Sequence, residues 1–199
     1  INYTEKSKTK KDPKPYMWAA KGLYKMSISG TESDEFNKPF KTALKYIGKS
    51  FKYDKDKSCQ EEHAEFVSEF MMSAATRIIN DAQAEDFKKA FGWNIKYVKI
   101  TPNPAGALYM EGACKYRNGD RGGANTSWKT ADKILEENNS MDGWLEADKA
   151  LMMHGVIETA KAHLSSRQKQ KAADLLNRFA PWFEDNKEFS EFYDSVING

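Results

Sequence analysis

Cysteine is scarce in this chain. Cys59 and Cys114 are the only two in 199 residues, too few for a disulfide framework, so a reduced, cytoplasmic protein is expected. No apolar run approaches the length of a membrane span, and no signal-peptide core stands out. Glycine-rich phosphate loops, nucleophile elbows and His-Glu-x-x-His zinc motifs are missing as well, which removes the common motif-bearing enzyme classes. There is little excess charge of either sign. With 31 Lys and Arg against 29 Asp and Glu the formal charge is +2, so any basic footprint has to be local. Aromatic residues, in contrast, are plentiful. The 5 Trp, 9 Tyr and 11 Phe exclude disorder of the whole chain and allow a large core in one domain or two small lobes.

The helical period dominates, and the expected fold is mostly α. Phe36, Phe40, Leu44, Ile47 and Phe51 recur at steps of three and four, which makes one apolar helix face. Phe66, Phe70, Ala74 and Ile78, with Val67 and Met71 beside them, do the same. The same stripes predict a core of Phe40, Leu44, Ile47, Phe66, Phe70, Ile78, Trp128, Leu135, Leu145, Met152, Val156, Leu176 and Phe179. At most a minor β element is expected, near 94–101, where Ile95, Tyr97 and Lys99 alternate with Lys96, Val98 and Ile100. Residues 1–15 carry Lys6, Lys8, Lys10, Lys11 and Lys14 with Pro13 and Pro15, the composition of a flexible basic arm. A helical globular region of 16–199 follows, with lobes expected at 16–92 and 93–199.

Between the first two helical faces lies an acidic stretch, Asp54-Lys-Asp-Lys-Ser-Cys-Gln-Glu-Glu-His-Ala-Glu65. Asp54, Asp56, Ser58, Glu62 and Glu65 fall at positions 1, 3, 5, 9 and 12 of this twelve-residue window, with Gln60 placed to offer a backbone carbonyl. A hard cation needs six to eight oxygens around a tight turn, and these offsets supply them. Cys59 stands at the turn position, where glycine is usual, and Glu61 at the apolar eighth position.

Two further windows share the spacing. Residues 138–149 place Asn138, Ser140, Asp142 and Glu146 at ligand positions, Gly143 at the turn and Leu145 at the eighth, but close on Lys149. Residues 101–112 keep Gly106 and Leu108 at those two positions, with Thr101 and Asn103 as the main side-chain oxygens. On these motifs the chain resembles the EF-hand superfamily, in particular the sarcoplasmic calcium-binding proteins and their photoprotein-like relatives. That resemblance implies helix–loop–helix pairs and calcium as the bound ion. The protein would then serve as a buffer, sensor or scaffold, with a protein or a small apolar ligand as partner. Members of that group are acidic, whereas this chain is +2.

The rival reading starts from basic segments. Lys8, Lys10 and Lys11 of the arm, with Lys115, Tyr116, Arg117 and Arg121 of a glycine-rich stretch, supply phosphate contacts and a ring on which a base can stack. Arg167, Lys169, Lys171 and Arg178 form a third basic segment on a presumed helix. Nucleic-acid-binding structural proteins of viral or phage type are built in this way. An enzyme is the least expected class. Glu61, Glu62 and Glu65 are similar to the magnesium array of all-α nucleotide pyrophosphohydrolases, but the Glu-x-x-Asp that should follow occurs only at Glu191–Asp194. The pairs His154–Glu158 and Cys59–His63 share helix faces without a third ligand.

Overall fold

The computed structural model of the chain describes residues 10–30 and 38–199. These residues form ten helices, so the mostly α expectation holds. In chain order they are α1 (Pro13–Ile28), α2 (Pro39–Tyr53), α3 (Ser58–Glu62), α4 (Ala64–Gln83), α5 (Phe87–Tyr97), α6 (Ala105–Arg117), α7 (Arg121–Glu137), α8 (Glu146–Ser165), α9 (Lys169–Phe183) and α10 (Lys187–Ile197). The chain divides into two compact units, Ile1–Met71 and Met72–Gly199. The division falls inside α4.

Local chemistry starts and stops the helices. Asp12 caps α1 by accepting from the Lys14 amide at 3.0 Å, with Pro13 at the first helical position. Helix therefore begins inside the expected arm, whose first nine residues lie outside the described part. Phe36 and the rest of 31–37 lie outside it too. In the first unit α1 packs on α2, and Tyr24, Phe40 and Phe70 interlock, with the Phe40 and Phe70 rings stacked 5.2 Å apart.

In the second unit α6 is flanked by α5, α7 and α8, while α9 packs on α8 and α10 on α9. Glycines let α6 and α8 come close. A β-carbon on Gly155 would lie 2.6 Å from the Gly106 carbonyl oxygen, and one on Gly106 would overlap the Met152 backbone. Gly106 is thus a helix-crossing residue rather than a loop turn, and 101–112 is mostly the start of α6. Of the expected core, Phe66 and Leu145 are half-buried and the rest are buried. Each fully buried Phe, Leu or Met contributes about 1.5–3 kcal/mol relative to exposure.

The strand candidate at 94–101 is not a strand: the chain is helical to Tyr97 and turns through 98–100, and no strand occurs among the described residues, within the bound of at most a minor β element. Phe87, Ala90, Asn94 and Tyr97 are the buried residues of α5, a helical spacing that the local alternation concealed. Asp86 caps this helix through the Lys89 amide at 3.1 Å. Asn94 leaves the polar side altogether, donating from its side-chain amide to the Ala107 carbonyl at 2.7 Å.

Candidate functional site

The acidic turn 54–65 uses most of its oxygens on itself. Asp54 is buried, and its carboxylate accepts from the Cys59 amide at 3.1 Å, the Gln60 amide at 2.8 Å and the Gln60 side-chain amide at 3.1 Å. It therefore caps α3, satisfying N–H groups that the helix itself leaves open. Asp56 accepts from the Ser58 amide and hydroxyl at 3.1 and 2.8 Å, and those bonds hold its carboxyl below the usual range. The Gln60 carbonyl, expected to face a cation, accepts from the His63 amide at 3.2 Å. Glu62 pairs with Lys14 at 3.0 Å, and Glu65 is exposed in the first turn of α4.

The 138–145 loop keeps its helix–loop–helix setting between α7 and α8. Gly143 takes a left-handed φ of 71° as a turn glycine should, and Ser140 accepts from the Asp142 amide at 3.0 Å. Glu146 pairs with Lys149 at 2.9 Å, so the basic residue in the closing position neutralises one expected ligand, and Asn138 ends α7 as an exposed cap. Among the described residues, no three His, Cys, Asp or Glu side chains are grouped to hold a metal ion.

The basic stretch around 115–123 is not a flexible loop. It is the end of α6, a three-residue turn and the start of α7, which Asp120 caps by accepting from the Gly123 amide at 2.8 Å. Two of its cations are spent internally. Lys115 reaches Glu111 at 2.6 Å and the Ser127 hydroxyl at 3.0 Å, and Arg117 pairs with Glu85 at 3.0 Å over the Phe87 ring. Tyr116 and Arg121 are different: both line a cleft of about 410 Å³.

Besides Tyr116 of α6, three helix segments build that cleft. Helix α7 presents Arg121, Asn125 and Trp128 at steps of four and three, one face of the helix. The end of α8 and the turn after it supply His163, Ser165, Ser166 and Arg167, and α9 adds Lys171. A second cleft of about 340 Å³ shares Asn125, Trp128, His163 and Lys171 with the first, so the two form one continuous groove. Its far part is lined by Lys129, Asp132, Asp174 and Arg178 over Tyr109 and Leu175.

Rings support the groove. Trp128 is buried, donates its indole N–H to the Tyr109 carbonyl at 3.2 Å, and lies where a side chain on Gly112 would collide with it. Tyr116 stacks on it at 5.8 Å and 29°, and the His163 ring is 5.0 Å away. The Tyr116 hydroxyl meets the Ser166 hydroxyl, which ties α6 to the turn after α8. Tyr116 and His163 are only half-buried, so they carry the accessible ring edges while Trp128 backs them.

The electrostatics have one sign at one end. No carboxylate lines the first cleft, and Arg121, Arg167 and Lys171 are exposed and enter no ion pair among the described residues. Arg121 lies over the Tyr116 ring at 5.5 Å. Burial lowers the His163 pKa, with the charge on Lys171 acting in the same direction and the hydrogen bond to Gln168 opposing both, so the imidazole is neutral at pH 7. In the second cleft the carboxylate of Asp132 is held by Arg178 at 2.6 Å and the Tyr109 hydroxyl at 2.5 Å. The Cys114 thiol, pushed up to about 12 by burial, stays protonated.

Of the expected phosphate ligands, then, the fold places Tyr116 and Arg121 in one groove and commits Lys115 and Arg117 elsewhere. Lys10 and Lys11 precede α1 as exposed residues, and Lys8 lies outside the described part. Asn125, His163 and Gln168 were not singled out from the sequence, and Trp128 only as a core residue, although the 121–125–128 spacing was there to find. Comparison of the chain with known protein families, with curated proteins and with solved structures found no match.

Proposed function

We propose that the protein binds single-stranded nucleic acid along the groove of its second unit. The observation that carries this reading is the convergence of Arg121, Arg167 and Lys171 in a cleft that no carboxylate lines, beside the half-buried rings of Tyr116 and His163. Cations at that density suit a phosphate backbone, and accessible ring edges suit unstacked bases. A groove of two joined clefts favours a polymer over a single nucleotide.

The test is fluorescence anisotropy with a labelled single-stranded RNA or DNA oligonucleotide across a salt series. Each of Arg121→Ala, Arg167→Ala and Lys171→Ala is expected to weaken binding and to reduce the log–log salt slope by about 0.7 for each phosphate no longer neutralised. Unchanged affinity in all three variants, with binding abolished by removal of residues 1–12, would move the function to the arm.

Calcium binding at 54–65 is the second reading. What favours it is the position of Glu65, exposed in the first turn of α4 at the end of a turn that also carries the exposed Asp56 and Ser58. Calorimetric titration with calcium, against a magnesium control, tests it directly.

A further inference from the structure

The first unit carries a groove of its own, about 360 Å³, between α1 and α4. Trp18 and Ile28, on the α1 wall, are 60% and 61% exposed, the largest exposures of big apolar side chains among the described residues. They sit in a stripe with Lys21 and Lys25, at steps of three and four along one face of the helix. The opposite wall is acidic, with Glu65 and Glu69 on α4. Lys21 is turned onto the His63 ring nitrogen at 3.1 Å and lies over Trp18 at 5.0 Å. Glu69 accepts from the Tyr24 hydroxyl at 3.1 Å. None of Lys21, Lys25, Glu65 and Glu69 enters an ion pair among the described residues.

The geometry points to a second copy of this chain as the occupant of this groove. The walls carry two lysines and two glutamates whose charges have no opposite partner. A purely basic or purely acidic partner would leave one wall uncompensated. A twofold axis through the groove sets the lysine wall of each copy against the glutamate wall of the other and buries Trp18 and Ile28 near the axis. Exposed tryptophan rimmed by charge is the composition of an interface centre rather than of a solvated face. Its lining shares no residue with the cleft of the second unit.

The experiment is sedimentation velocity on the full chain, freed of nucleic acid, over two decades of concentration. The wild-type chain is expected to pass from monomer to dimer. Trp18→Ala and Glu65→Lys should each weaken self-association at least tenfold while circular dichroism stays helical. The double variant Lys25→Glu with Glu65→Lys restores opposite charges across the axis and should recover the dimer. A wild-type chain that stays monomeric throughout overturns the proposal. So does a Glu65→Lys variant that associates as the wild type does, or a double variant that remains monomeric with helicity intact.

Discussion

Tyr97, the last residue of α5, donates its hydroxyl to the Asp148 carboxylate in the first turn of α8 over 2.7 Å. The Thr101 hydroxyl reaches the same oxygen at 2.5 Å, and the Asn103 side-chain amide approaches the other at 3.4 Å. Burial raises the Asp148 carboxyl, and the three donors oppose that rise. One acid thus fixes the chain between α5 and α6 to the start of α8. Asp148→Ala strands the Tyr97 hydroxyl, which is fully buried, and is expected to cost about 2–4 kcal/mol in chemical denaturation. Asp148→Asn keeps an acceptor for the hydroxyls and should cost about half as much. Equal losses for the two would show that the carboxylate itself is needed, and that an amide of the same size with one acceptor oxygen does not replace it.

At the crossing of α6 and α8, Gly155→Ala should be among the most damaging single-methyl changes in the second unit. The new carbon would meet the Gly106 carbonyl, which as backbone cannot swing aside. A loss of about 1–3 kcal/mol is expected in a urea midpoint series. Gly122→Ala, at an open position in the first turn of α7, serves as the control and should be neutral or mildly stabilising.

The turn at 54–65 separates a structural acid from a candidate ligand. Asp54→Ala removes the three bonds that cap α3, so it should lower stability by about 1–2 kcal/mol with or without added calcium. Glu65→Gln touches no such bond and, at a dilution where the chain is monomeric, should leave the melting temperature unchanged. If calorimetry detects calcium uptake, Glu65→Gln should abolish it while Glu61→Gln does not. Uptake that survives Glu65→Gln would place the ion elsewhere.

Acid should weaken the second unit. His154 and His163 both have lowered pKa values, chiefly through burial, with Glu188 and Glu158 pulling His154 the other way. An unfolded histidine takes up its proton near pH ~6.5, whereas these two do so only at lower pH when folded. The unfolded chain binds more protons in that window, so stability falls as the pH drops below ~6.5. Denaturant midpoints measured from neutral to mildly acidic pH should show this decline, and His163→Gln should flatten it. A midpoint constant across that window would mean that the imidazoles are not protected.

The local features were legible in the amino-acid order. Apolar residues at steps of three and four marked α2, α4 and most of the core, because helical periodicity needs only neighbours in sequence. Turn residues such as Gly143 also kept their local meaning. The alternation at 94–101 misled because burial of α5 is decided by what packs on it: Asn94 is polar in sequence yet faces α6, where a carbonyl awaits it. Lys115, Arg117 and Arg121 are equally basic on paper. Lys115 pairs with Glu111 one turn back on its own helix, whereas only the fold brings Glu85 to Arg117 and leaves Arg121 to line a cleft with Arg167 and Lys171, which are distant in sequence. Charge and period are properties of residues and their near neighbours, and they are written in the chain. Which charge is neutralised, and which stays available to a ligand, depends on long-range contacts that only tertiary packing creates.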